Sequence, residues 1–222
     1  MLTNLLSGGD MRSFIIQLLL SLPIVLLSLS LHEMAHGYVA DKLGDPTAKN
    51  LGRLTLNPIK HLDPIGFICM LLFGFGWAKA VPINTRYFKK PRRDMAISAA
   101  AGPISNVILA FIFAILLKIF YLLLPSLPLN NSELIFIIYL FLTLGIRLNI
   151  TLAVFNLLPV PPLDGSRILY VFLPPKYYFG VMKYERYISL GIMLLLLLGV
   201  LDPVLNFVSG GIMNLIFLVL GI

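Results

Sequence analysis

Long apolar runs leave this chain few places to fold other than a lipid bilayer. Phe14–Leu31, Met95–Leu124, Leu134–Leu158 and Val204–Ile222 are each apolar over most of their length, and a membrane helix needs about 20 such residues to cross hydrocarbon. Ile65–Ala80 and Ile188–Leu201 are shorter apolar runs. The first of these is rich in glycine, which suits a re-entrant segment shielded from lipid by protein. Hydrophobic residues make up 59% of the 222-residue chain and charged residues 12%, against about 45–50% and about 25% in soluble domains. The expectation is an all-α integral membrane protein of about five or six transmembrane helices, with a re-entrant strand or hairpin segment near residues 66–85. No residues are left over for a second folded module, so residues 1–222 read as one membrane-embedded domain. The N-terminus does not read as a cleaved signal peptide, because its apolar run passes directly into His32-Glu33 without a small-residue cleavage pattern.

The formal charge of +7 could suggest nucleic acid in a soluble protein. Here the basic residues sit between apolar spans, where the positive-inside rule accounts for them, and nucleic acid is not expected as a partner. Residues 42–93 hold ten Lys or Arg, and Arg167, Lys176, Lys183 and Arg186 follow later, while 125–133 hold none. The loop 79–94 and the connection 164–187 are therefore expected on the cytoplasmic side of the cell membrane, and 125–133 outside. This orientation puts His36 and Asp164 near one membrane face. Cys69 is the single cysteine, so no intrachain disulfide can form.

The chemistry concentrates in His32-Glu33-Met34-Ala35-His36. Residues four apart lie on one face of a helix with Cβ atoms about 5–6 Å apart, which suits two imidazoles on one tetrahedral zinc ion. Glu33 stands about 100° round the helix from His32, so it can approach a water beside the metal without ligating it and serve as general base. Ionisable groups in a membrane helix are costly and mark function by default. The bland alternative is a polar helix end at the water interface. A catalytic zinc takes a third protein ligand, and Asp164 is the candidate on the same membrane side, after the helix-breaking Pro159, Pro161 and Pro162. The alternative there is a simple Asp-Gly turn. His61 reads as a loop histidine that caps a turn or pairs with Asp63, outside the metal set.

His32-Glu33-Met34-Ala35-His36 together with Asn156-x-x-Pro159-x-x-Pro162-Leu163-Asp164-Gly165 resembles the site-2 protease family of intramembrane zinc metalloproteases (peptidase family M50). Gly102-Pro103-x-x-Asn106 is similar to a further family element, and 52–66 with Gly76-Trp77-Ala78-Lys79 is similar to the short bacterial and archaeal branch without a PDZ or CBS domain. The family's common form has proline after Trp-Ala-Lys, where this chain has Ala80. The resemblance implies a catalytic core over about 14–170, followed by C-terminal helices over about 187–222. It implies one zinc ion on His32, His36 and Asp164, with Glu33 as catalytic base. Asn156 and Asn106 would support substrate or oxyanion. For Asn156 the other reading is an amide bonding backbone freed by Pro159, and for Asn106 it is helix packing.

The resemblance further implies a zinc metalloendopeptidase that cuts peptide bonds within or near transmembrane segments, in regulated proteolysis or clearance of signal-peptide remnants. Its partners would be the bilayer and a substrate's transmembrane helix. Two other classes compete. A metal transporter would use the His and Asp residues as a pathway but gives Glu33 no special role, and it would spread polar residues over several helices. A catalytically dead scaffold would not need base and ligands together.

Overall fold

The computed structural model describes residues 10–73, 77–126 and 132–222. Its helices are α1 (Met11–Lys42), α2 (Thr47–Asn50), α3 (Pro64–Phe73), α4 (Pro91–Leu123), α5 (Ser132–Asn156), α6 (Asp164–Leu169), α7 (Pro175–Met182), α8 (Glu185–Leu197) and α9 (Asp202–Leu220). Four helical segments are long and apolar enough to cross a membrane: Met11–Lys42, Pro91–Ser126, Ser132–Asn156 and Asp202–Leu220. The chain is an all-α membrane protein. Of the two shorter apolar runs, one begins in the ten-residue α3 and the other begins in the 13-residue α8 and continues past its end. At about 1.5 Å per residue neither reaches across about 30 Å of hydrocarbon. Among the described residues near 66–85 no strand forms, and a single antiparallel bridge joins Leu62 to Ala78. Residues 74–76 of that expected segment lie outside the described residues.

The helices pack by apolar faces and by small residues. The core holds Ile24 of α1, Leu109, Phe113 and Leu117 of α4, Ile146 and Ile150 of α5, and Ile216 of α9. The most extensive pairings are α4 with α5 and α4 with α1. Gly145 of α5 makes the first possible: a Cβ there would stand 2.5 Å from the Phe113 ring. In α1 the buried Ser28 and Ser30 donate back to Ile24 O and Leu26 O, both at 2.7 Å. Those bonds satisfy hydroxyls that lipid could not.

The polar segment after α1 folds over the end of the bundle and is tied to the extended stretch 77–84. Lys79 N donates to His61 O at 2.7 Å, Arg53 Nη2 donates to Lys79 O at 2.5 Å, and Asn84 N donates to the buried Asp45 Oδ2 at 2.6 Å. Gly66 permits the same closure from α3, since a Cβ there would lie 2.2 Å from Trp77 O. These ties fix 77–84 beside the inner part of α1, where His32, Glu33 and His36 lie.

Candidate metal centre

His32 and His36 project from one face of α1, with ring centroids 4.6 Å apart and planes at 86°. Asp164 opens α6 and meets them from the other side. Gly165 lets it do so: any Cβ there would stand 2.2 Å from Leu157 O and 2.4 Å from Leu158 O, so only glycine lets α6 fold back on the end of α5. His32 Nε2 lies 3.0 Å from His36 Nε2. Asp164 Oδ2 lies 3.1 Å from the first and 3.3 Å from the second. All three residues are buried. A tetrahedral zinc with bonds of about 2.0–2.1 Å separates its ligand atoms by about 3.3 Å, so the near-equilateral triangle fits such an ion.

The surroundings fix which atoms face the triangle. His32 Nδ1 donates to Asn106 Oδ1 at 2.6 Å, and His36 Nδ1 donates to Ser98 O at 2.8 Å. With Nδ1 protonated on both rings, each Nε2 keeps its lone pair for a metal, and the ring orientation is locked. Asn106 is itself oriented, because its Nδ2 donates to Asn149 Oδ1 at 3.1 Å. Asn149 Nδ2 in turn donates to Gly145 O at 2.8 Å. A buried chain of amides thus runs from α5 through α4 to a histidine on α1. Gly102 of α4 supplies the room, since a Cβ there would lie 2.4 Å from His36 Nε2 and 2.6 Å from His32 Cε1.

Glu33 is buried next to this cluster. Its Oε2 accepts from Val81 N at 2.7 Å, so the extended 77–84 stretch touches the carboxylate directly. Asn156 does not join the cluster through a hydrogen bond; its Nδ2 donates to Leu152 O of its own helix at 3.0 Å. His61 pairs its Nε2 with Thr55 O at 2.8 Å and lies outside the one three-residue group of potential ligands among the described residues. Sequence reasoning missed Asn149, the Ser98 carbonyl and the Val81 amide. For Asn149 a signal existed, since an amide in an apolar run must find a partner; the other two act through backbone and leave no mark in side-chain identity.

Residues 128–199 match the model of peptidase family M50. YwhC of Bacillus subtilis, named provisionally as a zinc metalloprotease, is 46% identical over 167 residues, which are 73% of each chain. The chain belongs to peptidase family M50. This M50 peptidase is also 32% identical over 157 residues to Rip2 of Mycolicibacterium smegmatis, provisionally a zinc metalloprotease, covering 68% of this chain and 56% of that one. The zinc metalloprotease MJ0392 of Methanocaldococcus jannaschii is 28% identical over 176 residues, covering 79% of this M50 chain and 41% of its own. No solved structure matches.

Proposed function

We propose that this M50 peptidase is a zinc metalloendopeptidase that hydrolyses peptide bonds within or near the transmembrane segments of other membrane proteins. The observation that carries the reading is the triangle of His32 Nε2, His36 Nε2 and Asp164 Oδ2, with edges of 3.0, 3.1 and 3.3 Å and both Nδ1 atoms tied to oxygen acceptors. These three residues would hold the ion. Bound there, zinc supplies Lewis acidity toward the scissile carbonyl and acidifies water. Glu33 accepts the proton of the attacking water and delivers it to the departing amine. The Val81 amide holds one carboxylate oxygen and leaves the other free for that transfer. Asn106 holds His32 in the required tautomer; Asn156 serves substrate or oxyanion only on releasing its bond to Leu152 O.

A transmembrane substrate helix hides its carbonyls in hydrogen bonds, so cleavage requires local unwinding. The extended 77–84 stretch, in contact with Glu33, suits pairing with an unwound peptide through backbone groups. Substrate residues that weaken a helix, glycine and proline above all, lower the cost. The basic loops 79–94 and 164–187 support a centre that faces the cytoplasm, and the reading takes 1–222 as one domain with its catalytic core over about 14–170. The decisive experiment compares membrane peptides in cells making wild type or Glu33→Gln. A single-span protein should accumulate uncut with Glu33→Gln while purified protein keeps its zinc. Unchanged peptides in the two strains, or a variant that loses zinc, would refute the assignment of Glu33.

A further inference from the structure

Arg147 is exposed in the middle of a membrane helix. It lies in α5, a 25-residue span, about 22 Å from Ser132 and about 14 Å from Asn156 at about 1.5 Å per residue. With about 30 Å of hydrocarbon round such a helix, snorkelling carries its guanidinium only part of the way to either surface. Among the described residues no carboxylate pairs with it. A cation on a lipid-facing surface at this depth costs several kcal/mol and implies a partner.

The face around Arg147 has the composition of a helix-docking surface. Thr143 and Thr151 stand four residues before and after it and so line one stripe with it. The Thr143 hydroxyl donates to Tyr139 O of its own helix at 2.9 Å and keeps its lone pairs for a neighbour. Asn149, two residues on, is about 200° round the helix and faces the metal centre through Asn106. Arg147 is thus close to the depth of the metal centre and on the opposite side of α5.

We propose that this face docks a transmembrane helix of a partner membrane protein bearing an Asp or Glu at the depth of the metal centre. A second copy of this chain cannot supply that group. The acids of the four spans are Glu33, buried in the centre, and Asp41, Asp94, Glu133 and Asp202, all close to helix ends. Charge complementarity selects the carboxylate, and threonines permit close approach and interhelical hydrogen bonding. The partner stands beside the centre with α5 between them, so it positions or regulates rather than entering the triangle. The inference rests on α5 spanning the bilayer and does not depend on hydrolysis.

The test uses the full chain carrying Glu33→Gln, so that no probe is cut, in phosphatidylcholine vesicles. The probe is a labelled Leu/Ala single-span peptide with one Glu at the depth of Arg147, and energy transfer reads association. Association should be about tenfold tighter than for the same peptide with Gln, or with Glu moved by seven residues. Arg147→Leu should abolish the preference with zinc content unchanged, and Arg147→Lys should keep most of it. Arg147→Glu should switch it to a peptide bearing Lys, which keeps the test decisive if the leucine variant folds poorly. Equal association of the Glu and Gln peptides, or a preference that survives both Arg147→Leu and Arg147→Glu, overturns the proposal. Either result leaves the protease reading untouched, because cleavage is never measured.

Discussion

Val81 donates its backbone amide to Glu33 Oε2 at 2.7 Å, and this bond joins the extended stretch 77–84 to the proposed base. A carboxylate held at one oxygen keeps its rotamer and presents the other. Because the donor is backbone, only proline removes it. Val81→Pro should lower the cleavage rate about 10- to 100-fold, the range for a hydrogen bond to a charged group of about 1.5–3 kcal/mol, with zinc content unchanged. Val81→Ala keeps the amide and should stay near wild type. Equal rates for Val81→Pro and wild type in a reconstituted assay would show that the bond does not position Glu33.

Gly102 is the place where helix propensity and the metal centre conflict. Alanine in a helix interior is favoured over glycine by about 1 kcal/mol, but its Cβ would lie 2.4 Å from His36 Nε2 and 2.6 Å from His32 Cε1. Gly102→Ala should therefore leave the protein folded and lower its zinc affinity by at least about tenfold, read by competition with a chromophoric chelator. Zinc affinity equal to wild type would mean that α4 shifts outward at no cost to the triangle.

Asp164 supplies the only carboxylate in the triangle. At neutral pH the charge is fully present, so Asp164→Asn removes it with little change of shape. Loss of a direct ligand should exceed the 10- to 100-fold cost typical of outer-shell changes, so zinc affinity should fall by more than about 100-fold. Metal analysis of purified Asp164→Asn checks this, and retention of one tightly bound zinc would remove Asp164 from the ligand set.

The sequence already contained the arguments that four-residue spacing puts His32 and His36 on one face and that Asp164 lies on their side of the membrane. Both are local rules of period and loop charge. The short runs were less legible. Ile65–Ala80 is apolar but short and glycine-rich, which suits a re-entrant segment without fixing its form; Gly66 is there for contact with Trp77 O, and Pro64–Phe73 makes ten residues of helix. The Asp164-Gly165 pair reads as a turn in sequence, and its glycine is required by the carbonyls of Leu157 and Leu158. The support of Glu33 and His36 comes from the Val81 amide and the Ser98 carbonyl, which any residue type offers except proline at the first. Such contacts follow from packing between segments about 50 or more residues apart, where no local pattern exists.

Asn149 tests whether the buried amide chain matters to the metal. It hydrogen-bonds to none of the three candidate ligands; it orients Asn106 by accepting from Nδ2 at 3.1 Å, and Asn106 Oδ1 then accepts from His32 Nδ1 at 2.6 Å. Without that acceptor Asn106 is free to turn its NH2 toward His32, which would favour the tautomer with the proton on Nε2, facing the metal. Asn149→Leu should therefore lower zinc affinity about 10-fold and alter the visible spectrum of the cobalt-substituted protein, a signature that loss of packing alone would not produce. Asn149→Asp keeps an acceptor toward Asn106 and should retain more affinity than Asn149→Leu. If the cobalt spectra and zinc affinities of wild type and Asn149→Leu coincide, the orientation of His32 is set by Asn106 alone.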